Sequence, residues 1–307
     1  MTDITCSFLH LKLVNPTVLA SGILGTSPAL LERTARAGAG AVTSKSCGPE
    51  PRSGHPNPVC LDWGGGVINA IGLTNPGVEE EIAHLRASRE RLHALHVPLI
   101  ASIFGPTVEA YGEVARRAAA ANPDLIEVNI SCPNVGDEFG TPFAGLPETA
   151  AAVTAAVKAA TDIPISVKLA PNVPVIARIA SAVVEAGADA ITAVNTMPGM
   201  IIDADAGSPV LSNRSGGISG AALKPIALRC VAEIARAVNV PIIGTGGISS
   251  GRDAAEMIMA GATAVGIGSA VWQRGPEVFS QIAAELRAFM QSAGYSTLED
   301  MRGRALR

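Results

Sequence analysis

Charge is scarce in this chain of 307 residues: Asp, Glu, Lys and Arg make up 16%, against 48% apolar residues. A chain so apolar does not stay disordered, and its length is enough for a sizeable core. Neither sign of charge dominates, since 23 Lys plus Arg face 27 Asp plus Glu for a net −4. That balance excludes a nucleic-acid or anionic-membrane surface as the expected partner. No apolar run approaches the ~20 residues that a membrane span requires. The first residues, MTDITCSFLHLKLVNP, show no basic-then-apolar leader, so the expectation is a cytoplasmic protein with no signal peptide. Cysteine is sparse and odd in number (6, 47, 60, 132 and 230), which suits free thiols in a reducing compartment better than a disulfide framework.

Several motifs are missing as well. There is no GxxxxGK[ST] phosphate loop. Gly244-x-Gly246-x-x-Ser249 lacks the third glycine and the later acidic residue of a dinucleotide fingerprint. Gly247-Ile-Ser249-Ser-Gly251 matches GxSxG, but a hydrolase needs a histidine after that serine and the last histidine is His96. His93 and His96 are expected on one solvated helix face without acidic or cysteine partners, so no metal site is expected. No linker rich in Pro, Ser or charge divides the chain, which reads as one domain over residues 1–307.

What is present is a weak repeat. Val97-Pro98-Leu99-Ile100, Ile163-Pro164-Ile165-Ser166 and Val240-Pro241-Ile242-Ile243 each place proline where a strand begins and no ladder donor is needed. Gly38-Ala39, Gly187-Ala188 and Gly261-Ala262 each place glycine where a helix ends. Between them, Ile176, Ile179, Ala180, Val183 and Val184 share one helical face, as do Val278, Ile282, Leu286 and Phe289. Short apolar strands are predicted at 18–23, 41–46, 99–104, 125–131, 165–170, 190–196, 241–246 and 264–269. Eight strands alternating with helices predict the α/β class, a single (β/α)8 TIM barrel. Segments 47–80 and 197–223 break the rhythm and read as extended active-site loops, the alternative being ordinary surface insertions.

The strand ends are polar: Ser21, Lys45-Ser46, Ser102, Asn129 to Cys132, Lys168, Asn195-Thr196, Gly246-Gly247 and Gly268-Ser269. Alternation along a strand groups Ser166 with Lys168 and Glu127 with Asn129, and this polar face must point into the barrel. A lysine there faces a ligand or forms a structural ion pair with Glu127. Glycines after the last two strands suit phosphate held by backbone N–H groups, or else two tight turns with no ligand. Cys132 lies just past a strand, on a loop suited to closing as a lid, and as a residue type it is nucleophile, base or filler. Asn69, Asn129, Asn134 and Asn195 offer both donors and acceptors, as a flat ring with C=O and N–H edges, such as a pyrimidine, demands.

Taken in order, TSKS, NAIGLTNPG, EVNISCPNV, ISVKLAPNV, AVNT, GSPVLSNRSGGISGAALKPIAL and PIIGTGGISSGRDAAEMIMAGATAVGIGS resemble dihydroorotate dehydrogenase, class 1, B-type catalytic subunit, over roughly residues 5–272. The resemblance implies oxidation of dihydroorotate to orotate in de novo pyrimidine (UMP) synthesis, with FMN in a β/α barrel. It implies that Cys132 takes the C5 proton while the C6 hydride goes to flavin N5. Lys45, Asn69, Gly72, Leu73, Asn129, Asn134, Asn195 and Thr196 would hold substrate. Ser21, Lys45, Ser46, Asn129, Lys168, Val194 and Gly220 would contact the flavin, and Gly246, Gly247, Gly268 and Ser269 its phosphate. Lys168 then answers the negative charge that gathers near flavin N1 on reduction. Class 2 enzymes are membrane-bound, carry serine in place of this cysteine and have an N-terminal extension not seen here.

The resemblance further implies a homodimer and a second subunit with FAD and an iron–sulfur cluster that passes electrons to NAD; this chain has no cysteine cluster for such a cluster. It departs from the family at Ser102, usually asparagine, in the lid VGDEFGTPFAG and at the proline of Asn195-Thr-Met-Pro-Gly. With aromatics at 3%, few residues are available to stack on a flavin. The rival readings are a related FMN barrel oxidoreductase acting on another dihydropyrimidine, a phosphate-binding barrel lyase using Lys168 as a Schiff base, and a non-catalytic flavin-binding barrel.

Overall fold

The computed structural model describes residues 2–130 and 143–307. Cys132, Asn134 and most of the expected lid lie outside the described residues. Eight parallel strands close into a barrel: β1 (Thr17–Leu19), β2 (Ala41–Thr43), β3 (Leu99–Ile103), β4 (Leu125–Asn129), β5 (Ile165–Leu169), β6 (Ala190–Ala193), β7 (Ile242–Thr245) and β8 (Ala264–Ile267). Each pairs with the next, and β8 returns to β1 with Val265 opposite Thr17. Around them run α1 (Pro28–Arg36), α2 (Val78–His93), α3 (Val108–Ala119), α4 (Pro147–Ala160), α5 (Ile176–Glu185), α6 (Lys224–Ala237), α7 (Gly251–Met259), the short α8 (Ala270–Arg274) and α9 (Val278–Ala293). The fold is the (β/α)8 TIM barrel that the alternation of strands and helices predicts.

Local chemistry explains where each strand begins. Pro16, Pro98, Pro164 and Pro241 sit just before β1, β3, β5 and β7. Each lacks an N–H, yet each carbonyl accepts from a neighbouring strand: from Val265, Val42, Ile126 and Ile191 N–H, at 2.8 to 3.1 Å. Helix ends follow one pattern too. Gly38, Gly187 and Gly261 take positive φ, and the following alanine N–H reaches back to Thr34, Val183 or Met257 C=O. This is the glycine-capped helix end that the Gly-Ala repeat predicts.

Two expectations need correction. His93 and His96 share no helix face, because α2 ends at His93 and His96 takes φ 55 beyond it. Val97 N–H reaches back to Leu92 C=O, so His96 occupies the place that glycine holds at the other helix ends. Segments 47–80 and 197–223 are not purely loop either. They supply Cys60–Asp62, Val67–Asn69, Met197–Gly199 and Gly216–Ser219, which join as one four-stranded antiparallel sheet. The predicted strand segments run one to four residues past the observed ends.

Ile176, Ile179, Ala180 and Val183 of α5 and Val278, Ile282 and Leu286 of α9 are buried against the barrel, with Val184 and Phe289 at its margin. Burial of each such large side chain contributes about 1.5–3 kcal/mol. At the opposite end from the mouth, a hairpin of Cys6–Phe8 and Leu11–Leu13 buries Phe8 and Leu13, and the Cys6 thiol donates to Thr263 C=O at 3.2 Å. Among the described residues, no helix is long and apolar enough to cross a membrane.

Candidate active site

The polar faces of β4 and β5 do point inward. Lys168 and Glu127 are buried side by side, Nζ to Oε1 3.5 Å, and Lys168 Nζ also donates to Ser21 Oγ at 2.9 Å. The ion pair posed as an alternative to a ligand-facing lysine is therefore present, yet Lys168 also lines the cavity at the mouth. Ser102 Oγ donates to Glu127 Oε1 at 3.1 Å and lies 2.8 Å from Ser46 Oγ, which accepts from Asn129 Nδ2 at 3.2 Å. Asn195 Nδ2 lies 3.5 Å from Asn129 Oδ1. Thus Ser102 is satisfied by its neighbours within the barrel.

Above this floor opens a cavity of about 360 Å³. It lies at the C-terminal ends of the strands, where barrel enzymes build their sites. It gathers every described residue expected to bind: Ser21, Lys45, Ser46, Asn69, Gly72 and Leu73 from the first half of the chain, with Asn129 and Lys168 from the floor. Val194, Asn195, Thr196, Gly220, Gly246, Gly247, Gly268 and Ser269 complete the ring. The Ala193–Val194 peptide is cis, and Val194 N–H donates to Thr245 C=O at 2.9 Å.

The antiparallel sheet covers one side of the cavity. It places Asn69 opposite Gly217, and Asn69 Nδ2 lies 3.4 Å from Gly217 C=O. A small secondary core of Ile68, Ala70 and Leu211 anchors this cover. Pairing between residues so far apart in sequence leaves no local signal, which is why the two segments read as loops.

The glycine turns form the far wall. A Cβ on Gly247 would stand 2.6 Å from Lys224 Cβ and 2.8 Å from Gly220 O, so the backbone approaches too closely for a side chain. Among the described residues, no acceptor takes the amides of Gly246, Gly247, Gly268 or Ser269. Thr245 Oγ1 beside them is buried with no hydrogen-bond partner. Buried polar groups rarely stay unpaired, so this wall has the chemistry of an anion cradle. The first turn of α7 contributes less than its position would allow. Asp253 already accepts from Ser249 N–H, and Glu285 from Gly251 N–H, at 3.0 and 2.7 Å. The amides left for an anion are those of the turns themselves and of Ala270, since Val271 and Trp272 N–H already reach Gly268 and Ser269 C=O.

Sequence reasoning missed Thr245, Leu223, Ile248, Ser219, Trp272 and Cys60, all of which line the cavity. Thr245 stands inside the quoted Gly244-Thr-Gly246 turn, and Trp272 follows Gly268-Ser269 within one helical turn, so both had a signal in their neighbours. Cys60 had none, because only the antiparallel sheet carries it to the site. Its thiol is pushed up by burial and by Asp62, which lowers the fraction present as thiolate. Cys6, Cys47 and Cys230 are buried and free, with burial raising the first to about 11. Beside the mouth, burial on α2 raises the Glu81 carboxyl to about 8, against the opposing pull of Lys45.

A family model described as dihydroorotate dehydrogenase matches residues 3–290. The chain is 48% identical over 296 residues to the "Dihydroorotate dehydrogenase B (NAD(+)), catalytic subunit" of Methanosarcina mazei, covering 96% of this chain and 93% of that protein. The protein of the same name from Methanothermobacter thermautotrophicus is 45% identical over 302 residues, 97% of each chain. That of Pyrococcus abyssi is 41% identical over 297 residues, again 97% of each. The chain therefore belongs to the dihydroorotate dehydrogenase family, flavin-dependent oxidoreductases that oxidise dihydroorotate in pyrimidine biosynthesis.

Proposed function

We propose that this chain, as one domain over residues 1–307, is the FMN-holding catalytic subunit of a cytoplasmic, NAD-linked dihydroorotate dehydrogenase. It works as a homodimer with a second subunit carrying FAD and an iron–sulfur cluster. The observation that carries the reading is the single cavity uniting Lys168, the asparagines and both glycine turns at the barrel mouth. Its volume, about 360 Å³, lies in the range of small-molecule and cofactor sites. The unpartnered Thr245 hydroxyl and the glycine amides fit a phosphate, and Lys168 beside Ser21 fits the polar edge of a flavin ring. When bound, FMN supplies the two-electron acceptor.

The chain's own groups then divide the work. Gly246, Gly247, Gly268 and Ser269 hold the phosphate, while Ser21, Ser46, Val194 and Gly220 seat the ring. Lys168 sets a positive charge where negative charge develops, and Lys45 answers the substrate carboxylate. Asn69, Asn129, Asn134, Asn195 and Thr196, with the Gly72-Leu73 turn, orient the dihydropyrimidine. Cys132 removes the C5 proton. A thiol must be ionised to do so, and its ordinary pKa is about 8.5, so the rate rises with pH.

Lys168 is engaged by a carboxylate and a hydroxyl, contacts that suit an ammonium rather than the free amine a Schiff base needs. The visible spectrum of the purified chain, before and after anaerobic dihydroorotate, tests the proposal. A yellow protein that bleaches supports it. A colourless one, or one that turns over dihydrouracil in preference to dihydroorotate, overturns it.

A further inference from the structure

The hydrogen bonds in the barrel floor have one direction. Ser102 has a single hydroxyl proton and gives it to Glu127, so the proton between Ser46 and Ser102 must come from Ser46. Ser46 in turn accepts from the Asn129 amide, and Asn129 Oδ1 faces the Asn195 amide. Every donor on this path points toward one carboxylate, and Lys168 Nζ stands 3.5 Å from the same Oε1 that Ser102 reaches. Glu127, Lys168, Ser102, Ser46 and Asn129 are all buried, with Glu127 at 3% and Lys168 at 4% exposure. Lys45 is the other charged side chain lining this cavity among the described residues.

We propose that Glu127 is a positioning residue for both halves of the reaction: it fixes the Lys168 charge at the cavity that would hold the flavin and, through Ser102 and Ser46, the orientation of the Asn129 amide. The proposal rests on the flavin reading above. Glu127 itself is not among the residues that line the cavity. Its carboxylate anchors Lys168 and offsets part of the positive charge that Lys168 presents to the reduced flavin. The same carboxylate polarises the serine path, so the Asn129 Nδ2 is turned to the floor and its Oδ1 to the substrate side.

Glu127→Gln keeps the shape and removes the charge. It is expected to raise the flavin midpoint potential by about 30 mV, a tenfold change in a two-electron reduction equilibrium. Lys168→Met should shift it in the opposite direction. Ser102→Ala leaves the ion pair intact, so the potential stays at the parental value while the orotate dissociation constant rises threefold to tenfold. A merely structural Glu127 would lower the unfolding midpoint without moving the potential. The proposal is overturned if Glu127→Gln binds flavin and keeps the parental potential, or if Ser102→Ala keeps parental orotate affinity. Should Glu127→Gln fail to fold, the double variant Glu127→Gln/Lys168→Met removes both charges together. Its potential must then stand above that of Lys168→Met alone; equality overturns the proposal. A parent chain that takes up no flavin overturns the flavin reading as well, whereas a parent that bleaches with dihydroorotate isolates the test of Glu127.

Discussion

The two ends of this barrel are built on different terms. At the end where strands begin, proline carbonyls, glycine-capped helices and a buried hairpin satisfy one another, and little is left for a ligand. At the end where strands finish, a lysine is buried, a threonine hydroxyl is unpartnered, and a glutamate is held partly protonated by burial. Such groups are costly to a fold and useful to a reaction. The difference teaches that stability is concentrated at the base and that the mouth spends some of it. Substitutions at the mouth should therefore change chemistry first, and those at the base should change stability alone.

The largest effect is expected from Cys132→Ala. Loss of a general base typically lowers a rate by about 10²–10⁴. Flavin should remain bound while its reduction by dihydroorotate, followed anaerobically by stopped flow, falls by that range. A greater loss in Cys60→Ala would transfer the role to the Cys60 thiol, which the antiparallel sheet brings to the cavity.

Next in size is Gly247→Ala. The new Cβ would meet Lys224 Cβ at 2.6 Å and Gly220 O at 2.8 Å, and Gly220 is part of the cavity wall. Opening that wall should weaken FMN binding by about tenfold to a hundredfold, or about 1.4–2.8 kcal/mol. Flavin fluorescence titration of the refilled chain reads this directly. Parental affinity would show that the glycine turns are ordinary turns.

How much of this was legible in the sequence follows the same division. Pro98, Pro164 and Pro241 and the Gly-Ala pairs are short-range signals, each read within a few residues of the element it bounds, so the barrel and its register of strands and helices could be predicted. Lys168, Glu127 and Asn129 were legible by alternation, which assigns a face without saying what the face meets. The cover over the cavity was not legible, since Asn69 pairs with Gly217 across most of the chain. Nor was the role of His96, because its left-handed backbone belongs to a helix end usually marked by glycine. The individual substrate and flavin contacts came from the resemblance of motifs to a family, not from any physical pattern in the residues.

An effect of opposite sign, on stability rather than on ligand, should come from Glu81→Gln. Folding raises the Glu81 carboxyl to about 8 through burial, from an ordinary value of 4.5. The stability it contributes is fully present below the unfolded value and is lost as pH rises toward 8, because only the unfolded chain releases its proton in that window. Glutamine does not titrate. Relative to the parent, the variant should gain about 1 kcal/mol per pH unit across the window, measured by urea unfolding at pH 5 and 8. A constant difference at the two pH values would remove Glu81 from the strained groups of the mouth.

The smallest effect is expected at the base, from Gly187→Ala. Gly187 has φ +106, which an L side chain rarely adopts, and a Cβ there would meet the Lys158 Cγ at 3.1 Å. Lys158 is a flexible, half-exposed chain that can yield, and its ion pair with Asp189 lies at its far tip. The backbone strain therefore decides the outcome, at about 1–2 kcal/mol of stability. For a chain of this size that lowers the melting midpoint by about 2–4 °C. FMN affinity and the rate of flavin reduction should match the parent, since nothing at this helix end reaches the cavity. The same substitution at Gly247 and at Gly187 thus separates the two ends by readout: ligand lost in one, only stability in the other. If Gly187→Ala also releases flavin, the ends are mechanically coupled, and the base supports the site rather than merely carrying it.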